Sequence, residues 1–213
     1  MYIRRATKDD SAALSSICLL TANAGQSAER LHTIHALPGL VYALPYVHVP
    51  YTVGFVLVDS SSGREVIAGY ILLALDTRKF EAAAETQWYP SLRTKYPRSI
   101  LQSAYNPPLT ESDKHYIGLL HAPHRAPDAC VAFSPAHMHI DVLPAYQRQG
   151  WGKRLVGAAI KYLRDEARLN GLWLGMDPRN VNAAQFYARL GFKHVQGADA
   201  SNVCISVADW KFD

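Results

Sequence analysis

Three groups of residues have the types and spacing to do chemistry. His137, His139 and Asp141 alternate along an apolar run that stops at Pro144. On a strand this alternation puts them on one face with Leu143, and puts Met138, Ile140 and Val142 on the other. A carboxylate at such a strand end either takes a proton from a nucleophile or binds a cationic group. Asp177 closes the next apolar run, where it either caps the helix that follows or lines the same site. Two imidazoles and a carboxylate at alternate positions also invite a metal. No convincing further ligand stands out among His115, His121 and His124, so a hydrogen-bonded histidine pair is expected and no metal.

The second group is Gln147-Arg148-Gln149-Gly150-Trp151-Gly152-Lys153-Arg154, directly after that strand. A short turn into a glycine-rich helix start gathers unpaired backbone amides at the positive end of a helix dipole, which suits an anion. Gly150 and Gly152 would let a phosphate approach the backbone, with Arg148, Lys153 and Arg154 around it. A dinucleotide fingerprint fails because Leu155 stands where its third glycine belongs. A P-loop fails because Arg154 follows Lys153 and residue 147 is not glycine. The third group is Asn180, Ala183 and Tyr187, which share one helix face, with Ala183 keeping the surface between the other two low.

With its (Q/R)xxGxG turn, the sequence resembles the GNAT superfamily of acetyl-CoA-dependent N-acetyltransferases, in which this turn cradles the coenzyme A pyrophosphate. Asn180 to Phe192 is similar to that family's NxxAxxxY…GF helix, whose Asn contacts the pantetheine arm and whose Tyr faces the thioester sulfur. WYPSLRTKYP, SPAHMHIDVLP and LGMDPRNVNAAQFYARLGF look like the acetyltransferase-like domain found alone in bacteria and fungi and fused to the C-terminus of animal O-GlcNAcase. That likeness runs from about Gln87 to Phe192 and more loosely over the N-terminal third. The glycosidase portion has no counterpart, so glycoside hydrolysis is not implied.

The resemblance implies acetyl-CoA as cofactor, held by Val142, Leu143, Gln147, Arg148, Gln149, Gly150, Trp151, Gly152, Lys153, Asn180, Ala183 and Tyr187. The Val142 or Leu143 amide would polarise the thioester carbonyl. Tyr187 would serve as general acid to the departing thiolate, and Asp141 as base or amine anchor. Asp141, Asp177, His139 and Trp88 would meet an amine-bearing acceptor, protein or small molecule. Arg148 and Trp151 depart from the small or aliphatic residues more usual in the turn. The animal relatives are only acetyltransferase-like, so an inactive module that binds coenzyme A or a peptide is the alternative.

These residues need a scaffold, and 213 residues at 49% hydrophobic and 19% charged suffice for one domain with a real core. The expected fold is α/β, the GNAT acyltransferase type, with a mixed sheet of about seven strands flanked by helices. The expected order is β-α-β-β-(insertion)-β-α-β-α-β-β, with the insertion at about 78–115. Prolines exclude long elements from 25–50. Residues 116–121 are expected as a strand, 121–129 as a loop, and 150–169 as a five-turn helix ended by Gly171. The net charge of +4 is too small and scattered to argue for nucleic acid. Cys18, Cys130 and Cys204 are far apart, as in a reducing compartment. No signal peptide or membrane span is expected, which makes the cytoplasm, or the nucleus in a eukaryote, the expected location. A monomer or homodimer fits equally.

Overall fold

Alternating apolar runs and short polar turns build a central sheet, and helices cover both of its faces. The structure, a computed structural model, describes residues 1–102 and 105–212. In chain order the elements are β1 (Tyr2–Arg5), α1 (Ser11–Leu19), α2 (Leu37–Tyr42), α3 (Pro45–His48), β2 (Thr52–Asp59), β3 (Val66–Ala74), α4 (Thr77–Gln87), α5 (Tyr89–Lys95), α6 (Glu111–His121), α7 (Asp128–Phe133), β4 (His137–Val142), α8 (Trp151–Tyr162), β5 (Gly171–Gly175), α9 (Val181–Arg189), β6 (Lys193–His194) and β7 (Asn202–Ser206). The strands form one seven-stranded mixed sheet in the order β1-β2-β3-β4-β5-β7-β6. This is the expected α/β architecture.

β3 lies near the middle of the sheet, and its side chains divide the core in two. Tyr70, Leu72 and Ala74 pack with Leu14, Ile17 and Cys18 of α1 on one face. Ile71 and Leu73 pack with Leu155, Val156, Ala159 and Ile160 of α8 on the other. A buried strand with both faces covered has no polar side, which is why VIAGYILLA is almost continuously apolar.

Several local expectations give way to the structure. Residues 116–121 are not a strand but the end of helix α6. Thr110 starts that helix with a capping box, its hydroxyl accepting from the Asp113 amide at 3.0 Å. The loop expected over 121–129 ends early, because Asp128 already begins the short helix α7. Residues 25–50 hold no long element, as expected, and Pro38 and Pro45 each sit in the first turn of a short helix. α8 passes into a π-helical turn over Leu163–Ala167 and stops at Arg168, whose φ is 56°, before Gly171 is reached. No helix among the described residues is long and apolar enough to cross a membrane.

Asp113 pins α6 to the loop before α2. Its carboxylate accepts from His32 Nδ1 at 2.9 Å and from the amides of Thr33, Ile34 and Thr110. Burial opposes its ionisation, but these donors prevail and hold its carboxyl below the usual carboxylate range. The stability it contributes is complete above about pH 4 and disappears as pH falls through the lowered value. Asp113→Asn therefore costs about 2–3 kcal/mol in denaturant unfolding at neutral pH. Its stability also falls less steeply than wild type on acidification.

Candidate active site

β4 and β5 run parallel but pair only at His137 and Trp173, so the two strands separate towards their C-terminal ends. The opening exposes backbone that a regular sheet would use. Amides of successive strand residues face opposite edges. The Leu143 N–H donates to the Ala68 carbonyl at 2.9 Å. Of the two amides expected to serve a thioester carbonyl, Leu143's is therefore spent in the sheet. That of Val142 faces the β5 side.

The turn after β4 is braced by its own glutamines. Gln147 Nε2 donates to the Val142 carbonyl at 2.8 Å and Gln149 Nε2 to the Ala145 carbonyl at 2.7 Å. Arg148 and Gly150 take left-handed conformations, with φ 58° and 82°, and Gly150 leads into α8. The two glycines have different jobs. A Cβ on Gly150 would meet nothing within 4 Å, whereas one on Gly152 would lie 2.9 Å from Phe186 of α9. Gly152 thus serves helix packing as well, since only a residue without a side chain fits against Phe186. The Trp151 ring lies under the Arg154 guanidinium at 4.5 Å. Lys153 follows in the first turn of α8. Gly152→Val costs about 1–3 kcal/mol in thermal unfolding through overpacking. Gly150→Ala meets no neighbour and costs about 1–2 kcal/mol through its positive φ.

Asn180 is the N-cap of α9, its side-chain oxygen accepting from the Ala183 amide at 3.0 Å. This overturns the idea that Asp177 caps the helix. Asp177 instead accepts from the Arg179 guanidinium, at 2.6 Å to Nη2, and from the Arg179 amide. That guanidinium holds the Asp177 carboxyl below its usual range. Tyr187 is buried between Phe186 and Phe192, each ring centroid 5.2 Å from its own. Burial, then the charge of Asp141, pushes its hydroxyl far above the ordinary tyrosine value, so it stays protonated at neutral pH.

Asp141 projects from β4 on the face of α1. Tyr70 Oη donates to Asp141 Oδ2 at 2.5 Å, and His139 Nε2 lies 3.0 Å from that hydroxyl and 3.1 Å from Asp141 Oδ2. The expected His137–His139 pair does not form. His137 bonds to the Tyr46 hydroxyl at 2.7 Å and the Thr77 hydroxyl at 2.7 Å. Burial, then His139, brings its pKa down to about 3, so it is neutral and structural.

A cavity of about 780 Å³ opens over these groups. One wall is His139, Asp141, Asp177, Asn180, Ala183 and Tyr187 from the C-terminal half. The other is Cys18, Asn23, Gly25 and Tyr42 with Glu111 and Tyr116 of α6. Burial, then neighbouring negative charge, raises the Cys18 thiol well above its normal value, and burial also raises the Tyr116 hydroxyl. Trp88 is not on this wall. Its Nε1 donates to the Leu40 carbonyl at 2.9 Å and its ring stacks on His48 at 5.1 Å, so it packs the junction of α4 and α5 against α2 and α3.

Cys18, Tyr70, Tyr42 and Tyr116 were not legible as site residues. Tyr70 had a signal, as the single polar tip in an otherwise apolar buried strand, since a buried tyrosine hydroxyl needs a partner. The others arrive from segments whose spacing says nothing about β4.

With this geometry in view, likeness to known proteins is informative. A family model described as the Acetyltransferase (GNAT) family matches residues 51–192. The crystal structure of SsHAT superposes with a TM-score of 0.81 at 32% identity, covering 97% of this chain and 98% of that one. A crystal structure described as an acetyltransferase gives 0.56 at 16% identity, covering 97% and 100%, a likeness of fold alone. The separated β4 and β5, the turn into α8 and the helix carrying Tyr187 all lie within the matched span, and the chain belongs to the GNAT acetyltransferase family.

Proposed function

We propose that the chain transfers an acetyl group from acetyl-CoA to the amine of a cationic acceptor, both bound around the cavity over β4 and β5. The observation that carries this reading is convergence: Tyr187 from α9 and Asp141 from β4 line one cavity at the point where the two strands part. The residues fit the coenzyme. The N-terminus of α8 favours an anion, and the space around Gly150 is open on the side a Cβ would occupy. When bound, acetyl-CoA supplies the activated acetyl thioester. The Val142 amide is oriented to donate to a carbonyl oxygen in the opening.

Charge supports the acceptor class. Glu111, Asp141 and Asp177 line the cavity, and Arg179, paired with Asp177, is the lone Arg or Lys among its described lining residues. An amine arrives as an ammonium and must lose a proton before it attacks. Asp141 attracts the cation, and His139, 3.1 Å away, gives the proton a second site. Tyr187 is too weak an acid, given its raised pKa, to surrender its proton fully to a thiolate of pKa about 8.5. It acts instead as a hydrogen-bond donor to the leaving sulfur. We place the chain with the stand-alone relatives of the O-GlcNAcase-linked domain, on the motifs from Gln87 to Phe192. A coenzyme-binding module without turnover is the second reading, favoured by the bulk of Arg148 and Trp151 in the turn.

Calorimetry with acetyl-CoA, then thiol release against a polyamine, a lysine peptide and an aminosugar, tests the reading. Micromolar binding and turnover on at least one cationic amine are expected. Absence of binding sinks both readings, and binding without turnover on any amine leaves the module.

A further inference from the structure

We propose that the same cavity binds a thiophilic divalent cation such as Zn²⁺ through Cys18, His139 and Asp141, and that the cation blocks the amine site. The inhibitory part rests on the acetyl-transfer reading above; the metal site does not.

The three side chains come from α1 and β4, and one donor atom of each lies within 4.8 Å of the other two. His139 Nε2 and Asp141 Oδ2 are already 3.1 Å apart. Ligand atoms around a tetrahedral zinc are roughly 3.3–3.6 Å apart, given metal–ligand bonds of about 2.0–2.3 Å. Small side-chain adjustments therefore complete the triangle. Thiolate and carboxylate cancel the charge of a divalent ion, and the imidazole binds as the neutral ring. A sulfur, nitrogen and oxygen donor set selects Zn²⁺ or Co²⁺ over Mg²⁺ or Ca²⁺. All three residues line the cavity, which leaves the fourth position to water.

Tyr70 competes with the cation. Its hydroxyl donates to Asp141 Oδ2, contacts His139 Nε2 at 3.0 Å and also reaches the Cys18 thiol. Without metal, this one hydroxyl gathers the three donors. As the sulfur–metal bond forms, the thiol proton leaves to bulk solvent, and the Tyr70–Asp141 hydrogen bond gives way to the metal–oxygen bond. The rival explanation is that the cluster exists only to satisfy Tyr70.

The test uses the full chain stripped by a chelator, with Zn²⁺ followed by calorimetry and Co²⁺ by absorption. We expect one cation per chain and a thiolate-to-cobalt charge-transfer band in the near ultraviolet. Cys18→Ala, Cys18→Ser and His139→Ala, each shown folded by circular dichroism, weaken binding by more than the roughly 10–100-fold that loss of a supporting contact costs a metal site. Tyr70→Phe, which frees both β4 ligands, binds at least as tightly as wild type. Zn²⁺ inhibits acetyl transfer with a midpoint matching the calorimetric Kd, and rising acceptor concentration relieves the inhibition. The metal site is overturned if folded wild type takes up no Zn²⁺, if the cobalt band is absent, or if binding survives loss of Cys18. Binding with no acetyl transfer under any condition removes the acetyl-transfer reading instead. Transfer unaffected by bound zinc removes the inhibitory role.

Discussion

Asp141→Asn lowers kcat/KM for a cationic amine by about 10²–10⁴-fold, the range for loss of a positioned acid–base group. Asparagine keeps the shape of the side chain and can still accept from Tyr70, so the hydrogen bond at 2.5 Å has a successor. What disappears is the charge. That charge reaches across the whole cavity, since it helps to raise the Cys18, Tyr70, Tyr116 and Tyr187 groups. Steady-state kinetics should therefore show loss in both terms: KM rises because the ammonium has lost its partner, and kcat falls because its proton has lost its first acceptor. Acetyl-CoA affinity, read by calorimetry, stays within a few-fold of wild type. A variant with normal kcat/KM would remove Asp141 from the chemistry and leave it as a support for Tyr70.

Tyr187→Phe lowers kcat by about 10²–10³-fold, the usual effect of deleting one donor aimed at developing negative charge. The ring contacts with Phe186 and Phe192 survive the change, so the thermal midpoint should move little. Because burial and Asp141 keep the hydroxyl protonated throughout the working range, the substitution should scale the pH–rate profile without moving its limbs. An alkaline limb that vanishes in Tyr187→Phe would show that the hydroxyl itself titrates, and the hydrogen-bond role would give way to full proton transfer.

The sheet and the strand–turn–helix of residues 137–162 were readable because their signals are local. Apolar alternation, Pro144 and paired glycines each act within a few residues. Asn180 and Tyr187 were readable for the same reason, being fixed to one helix face by spacing. The insertion was harder, because its helices are short and their boundaries are set by capping. Residues 116–121 were expected as a strand, although Thr110 and Asp113 spell a capping box just before them. Gly152 shows a different limit. Its spacing pointed to a ligand, but Phe186, which leaves no room there for a side chain, lies more than thirty residues away. Asp141 was placed correctly on the strand face, but its partner Tyr70 comes from another strand, and only the register of β3 against β4 sets the two opposite each other.

The cavity walls come from separate stretches of chain. Residues 138–141 and 174–187 supply one wall, whereas residues 18–42 and 111–116 supply the facing one. If the facing wall selects the body of the acceptor while Asp141 meets its amine, substrate choice can drift without touching the acyl donor's grip. Segments 18–42 and 111–116 then form a cassette, tied together through His32 and Asp113, that must be exchanged as a unit. Grafting that cassette from a relative is the practical route to a new acceptor range. Transplanting either segment alone would strand a buried carboxylate.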